Sequence, residues 1–110
     1  MFAVPASGAH RYGAPVIEIL TFRLASGVDV AAFTALDARV QTEVAYQQPG
    51  LLRRTTGRND EGRWLILQVW ASSAAATAGR VAIERSTVGA DLHAMIDSDS
   101  VHVERFEGID

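Results

Sequence analysis

Residues 50–70 read GLLRRTTGRNDEGRWLILQVW. Two runs rich in β-branched and aromatic residues, Leu51 to Arg58 and Arg63 to Trp70, flank the polar cluster Asn59-Asp60-Glu61-Gly62, a pattern that predicts a β-hairpin. Along the second run, alternation places Leu65, Leu67 and Val69 on one face and Trp64, Ile66, Gln68 and Trp70 on the other. Both faces carry large apolar groups, so both need a cover. The expectation is that the chain's own helices cover the Leu65 face and that a second copy, in a homodimer packed sheet against sheet, covers the tryptophans.

Outward from the hairpin, VIEILTFRL from Val16 predicts a first strand, closed by Ala25-Ser26-Gly27. Asp29 stands where a helix N-cap would, and Phe33, Leu36, Val40 and Val44 form one apolar stripe of the helix that follows. Pro49-Gly50 ends that helix. Ser72 or Ser73 caps a second helix whose apolar face runs through Val81, Val88, Leu92, Met95 and Ile96, in two pieces, with Gly79 and Gly89 as the candidate break points. After the turn cluster Asp97 to Ser100, Val101 to Phe106 reads as the last strand. The order βαββαβ gives an α+β fold with both helices on one face of an antiparallel sheet. Residues 1–15, rich in Ala, Gly, Pro and Ser, read as a flexible arm containing His10, and residues 16–110 as a single domain.

Composition narrows the function classes. The 110 residues carry 10 basic and 13 acidic side chains with no basic block, which argues against a nucleic-acid partner. Every basic residue is arginine, which with the abundant alanine reads as the coding bias of a GC-rich bacterium. Cysteine is absent, removing thiol chemistry and cysteine metal sites. No apolar run reaches the roughly 20 residues of a bilayer span, so no membrane partner is expected. The start lacks the basic and apolar regions of a signal peptide, and the cytoplasm is the expected compartment. No pair of histidines has metal-ligand spacing, and no phosphate-cradling glycine loop is present, so neither a metal nor a cofactor is expected.

The succession VIEILTFRL, QQPG, LLRRTTGR, EGRWLILQVW with ASSAAA, and IDSDSVHVERF resembles the dimeric α/β-barrel proteins of the antibiotic-biosynthesis-monooxygenase-like superfamily, from about Val16 to about Phe106. The resemblance implies ferredoxin-like protomers whose two sheets close into one barrel, with a cavity in each between sheet and helices. It also implies a cofactor-independent monooxygenase acting on electron-rich aromatic molecules, with Trp70 matching the tryptophan that ends the third strand. The catalytic asparagine of that pattern falls at Ile66, which can neither donate nor accept a hydrogen bond. The haem-degrading branch is not matched, because SSAAATAGRVAIERSTV holds neither its tryptophan nor its histidine.

The candidate site is therefore the polar end of a cavity for a small, largely apolar or aromatic molecule. Glu18 and His102 are the candidate acid-base couple, on the expectation that the last strand lies beside the first. Trp70, Gln68, Arg54 and Phe22 are the candidate binding residues. Arg53 and Arg54 point to opposite faces, so one of them must face a helix or the barrel, where a salt bridge to a residue such as Glu18 is the competing use. Arg58 and Arg63 read as solvated hairpin ends paired with Asp60 and Glu61, and His93 with Asp97 as a surface pair. The alternative is a non-catalytic ligand-binding or stress-related module of the same fold.

Overall fold

The computed structural model describes residues 14–109, so the expected arm lies outside the described residues apart from Ala14 and Pro15. Strands β1 (Val16–Phe22), β2 (Leu51–Arg58), β3 (Trp64–Trp70) and β4 (His102–Glu107) form one antiparallel sheet in the order β2-β3-β1-β4. Helices α1 (Val30–Arg39), α2 (Ser73–Arg85) and α3 (Thr87–Ala94) complete the α+β, ferredoxin-like βαββαβ order.

Local chemistry sets the element ends. Asp29 caps α1 by accepting from Ala32 N, and Ser72 caps α2 by accepting from Ala75 N. Beyond α1 the chain widens into a π-helical turn, Val40–Val44, and tightens into a 3-10 turn, Ala45–Gln47. Arg39 Nε and Nη2 donate to Glu43 at 2.8 and 3.2 Å across that change of pitch, and this hydrogen bond holds the exposed Glu43 carboxyl below the usual carboxylate range. Gly50, at φ 86°, then turns the chain into β2. In the hairpin loop Asn59 Oδ1 accepts from Glu61 N and Arg63 N, a side-chain-closed turn.

The expected assignment of faces is reversed. Trp64, Ile66, Gln68 and Trp70 are buried beneath the helices, while Leu65, Leu67 and Val69, with Ile17 and Ile19 of β1, lie on the opposite face and are only partly buried. The indoles are the larger groups, and the helix layer supplies partners shaped for them. Phe33 of α1 meets Trp64 edge to face at 4.8 Å, and Trp70 is fully buried with Val16 and Ala76.

The break in the second helix is also displaced. It falls at Ser86, whose backbone is extended and whose hydroxyl donates to Ile83 O and accepts from Gly89 N, ending one helix and capping the next. Gly79 stays helical, and the six-membered ring of Trp70 packs directly on it. A methyl group there would overlap the ring. Gly79→Ala should therefore lower stability by about 1–3 kcal/mol through overpacking, against a helix-propensity gain of about 1 kcal/mol, and urea unfolding of the two proteins measures the sign.

Candidate functional site

Strand register builds the site. On the face under the helices, Arg54 of β2 lies opposite Gln68 of β3, Gln68 opposite Glu18 of β1, and Glu18 opposite Arg105 of β4. One polar rung thus crosses all four strands, between an apolar row of Trp70 and Val16 and an apolar row of Ile66 and Leu20. Arg54, Gln68 and Glu18 are three of the four buried polar residues among the described residues, and Asp37 is the fourth.

Each end of the rung is paired. Glu18, 2% exposed, accepts from Gln68 Nε2 at 3.1 Å through Oε1. Its Oε2 accepts from Arg105 Nη2 at 2.9 Å and Nε at 3.3 Å, and from Arg80 Nη1 of α2 at 3.4 Å. Oε1 therefore keeps an unused acceptor position. At the other end Arg54 Nη2 donates to Asp37 Oδ1 at 2.7 Å, and Nη1 donates to Gln41 Oε1 and Thr56 Oγ1 at 3.2 and 3.4 Å. The Arg54 Nε–H is buried without an acceptor among the described residues.

Above the rung lies a cavity of about 120 Å³, floored by Glu18, Gln68 and Arg54 and walled by apolar groups that include Leu20, Ile66 and Leu92. That is far above the roughly 10–15 Å³ a single water needs. It reaches the surface beside the exposed Glu84, His93 and Val103, so a molecule can enter from solvent.

Three of the six candidate residues, Glu18, Gln68 and Arg54, meet at this cavity. The expected Glu18–His102 couple does not form. Arg105, not His102, stands opposite Glu18, and the three-residue offset turns His102 to the outer face, exposed and opposite Thr21. Phe22 is buried in the apolar cluster with Phe33 and Trp64, away from the cavity lining. Trp70 is likewise absent from the lining, sealed under Gly79 with its indole Nε1–H buried and without an acceptor among the described residues.

The arginines differ from expectation too. Arg54 faces inward and Arg53 is exposed, and the partner of Arg54 is Asp37 rather than Glu18. Arg58 lies over the Trp64 ring at 5.5 Å, and Arg63 Nη2 donates to Thr21 Oγ1 at 3.2 Å. His93 lines the cavity mouth. Asp37, Arg80 and Arg105 went unrecognised as site residues in the sequence. Asp37 follows Phe33 by four and precedes Val40 by three, on the buried stripe, and Arg105 follows Val101 and Val103 in strict alternation, so both carried a signal.

The same architecture is seen in several solved structures. SnoaB from Streptomyces nogalater, a cofactor-independent oxygenase, is 18% identical with a TM-score of 0.73, covering 88% of this chain and 95% of that one. An antibiotic-biosynthesis-monooxygenase-like protein from Caulobacter crescentus is 16% identical with a TM-score of 0.71, covering 90% and 93%. Rv0793 from Mycobacterium tuberculosis is 18% identical with a TM-score of 0.64, covering 88% and 97%. No family model and no curated protein matches the chain in sequence. Among the described residues no helix is long and apolar enough to cross a membrane.

The Arg54–Asp37 pair generates a test. Asp37→Ala leaves a buried guanidinium without its carboxylate and should cost about 3–5 kcal/mol. Replacing both partners, Arg54→Met with Asp37→Leu, should recover most of that loss, because no charge is then left stranded. Chemical denaturation of the single and double variants measures the difference.

Proposed function

We propose that the protein is a cytoplasmic homodimer that binds a small, largely apolar aromatic molecule in the inner cavity and acts on it as a cofactor-independent oxygenase. The observation that carries this reading is the solvent-connected apolar cavity with Glu18 and Gln68 at its floor. The unused acceptor position on Glu18 Oε1 suits the hydroxyl of a phenolic ligand. Taking up that proton would leave an electron-rich anion able to reduce dioxygen, with the apolar walls excluding water. Glu18 would be the base and Gln68 and Arg54 the orienting groups, while Trp70 and Phe22 support the walls from behind.

A second reading, a non-catalytic binding module of the same fold, is favoured by Ile66. This side chain lines the cavity at the position where the resembled oxygenases carry asparagine. Native mass spectra followed by oxygen uptake with polycyclic phenols separate the two. The oxygenase reading expects uptake with wild-type protein and a fall of about a hundredfold or more in Glu18→Gln, with ligand binding retained. Binding without uptake in wild type supports the module.

The homodimer rests on the outer face of the sheet. Its two central strands present Val69, Leu67 and Leu65 beside Ile17, Ile19 and Thr21, an apolar strip that the helices do not cover. Phe106 of β4 extends that strip opposite Ile17, and the edges also carry charge, with Arg53 on β2 and Glu104 on β4, so a two-fold partner that sets β2 against β4 would bring opposite charges together. Light scattering should give twice the chain mass for wild type. Leu67→Arg, which places a charge at the centre of that strip, should give a folded monomer.

A further inference from the structure

A groove of about 300 Å³ lies between α1 and β2, the edge strand of the sheet. Its walls include Thr34, Asp37 and Gln41 from the first helix and its π-helical extension, Arg54 and Thr56 from β2, and Trp64 from β3. Residues 34, 37 and 41 follow the spacing with which a helix ordinarily lays apolar side chains on a sheet. Here that face is polar. Arg54 alone is shared with the inner cavity, so the groove is a separate volume.

The hydrogen-bond inventory of the groove is incomplete in a specific way. Asp37 is 7% exposed and gives Oδ1 to Arg54, while its Oδ2 has no hydrogen-bond partner among the described residues. Gln41 accepts from Arg54 through Oε1, which leaves both Nε2 hydrogens unspent, and Thr56 accepts through Oγ1, which leaves its hydroxyl hydrogen unspent. Because Arg54 already compensates the charge of Asp37, a cation gains little here, and an anion would meet the free carboxylate oxygen. One acceptor, three donor hydrogens on Gln41 and Thr56, and the unpaired Arg54 Nε–H remain in surroundings of balanced charge, beside an indole. Hydroxyl groups on a ring fit that set, since each can donate and accept.

We propose that this groove is a second binding site, for a neutral polyhydroxylated ring such as a sugar or a cyclitol. Asp37 Oδ2 accepts from one hydroxyl, Gln41 and Thr56 donate to its neighbours, and Trp64 presents apolar surface to the ring. The site stands whether or not the inner cavity is catalytic.

The test is a titration of nitrogen-15-labelled protein with myo-inositol, with glucose and, separately, with inorganic phosphate. The expected result is a saturable shift of the Gln41 side-chain amide and of the Asp37 and Thr56 backbone amides with at least one polyol, and none with phosphate. The Gln41→Leu, Thr56→Val double variant, shown to be folded by the same spectra, should bind that polyol about tenfold more weakly or worse. Absence of a saturable shift with either polyol, a stronger response to phosphate, or an unchanged affinity in the double variant overturns the proposal.

Discussion

The buried carboxylate of Glu18 constrains more of this molecule than any other group. A charge taken out of water costs several kcal/mol unless it is paired, and its partners then have little freedom. Those of Glu18 come from three other elements: Gln68 from β3, Arg80 from α2 and Arg105 from β4. One side chain therefore ties the helix layer to the sheet and the edge strand to its neighbour. The tie matters most for β4, whose residues are all exposed and which has little apolar burial of its own to hold it.

The same rung explains why the interior is divided. Apolar rows lie on either side of Arg54, Gln68, Glu18 and Arg105, and the buried apolar residues fall into two clusters accordingly, one around Trp70 and one around Phe33 and Trp64. The long arginine side chains stand between the layers in the middle. At one end Gly79 lets α2 come down onto the Trp70 ring, and at the other Phe33 brings α1 onto Trp64. The layers touch at both ends and arch over the polar rung, and that arch is the cavity.

Element order was legible in the sequence because hydrophobic periodicity and turn chemistry are local properties. The hairpin, the helix caps and the Pro49-Gly50 stop could each be read from a few neighbouring residues. The faces of β3 were not legible, since Leu65 and Trp64 belong to equally apolar sets and only the shape of the helix layer distinguishes them. The choice between Arg53 and Arg54 was hidden for a sharper reason. A β-bulge at Leu52 shifts the register, so that Leu51 and Arg54 both turn inward across an odd interval that alternation forbids. With that bulge in place Arg54 reaches Asp37, and without it Arg53 would take the inner face. His102 failed as a partner for Glu18 on register alone. Glu18 and Gln68, polar residues in inward-facing apolar sets, were the part of the site that pattern could reveal.

The geometry also bears on how binding and folding are coupled. A ligand that delivered a proton to Glu18 would cancel the charge that Arg80 and Arg105 compensate, and the ligand anion left behind would become their natural counter-ion. Arg80 is the better placed to transfer, since its contact with Glu18 is the longest at 3.4 Å and it also pairs with Glu84, which like Arg80 lines the cavity near its opening. Arg105, closer and bonded through two nitrogens, is the fixed clamp. The rung and the ligand together would then hold their total charge constant while the proton moves. A carboxylate in a buried ion network can serve as an acceptor on those terms without stranding the two guanidinium groups that secure β4 and α2.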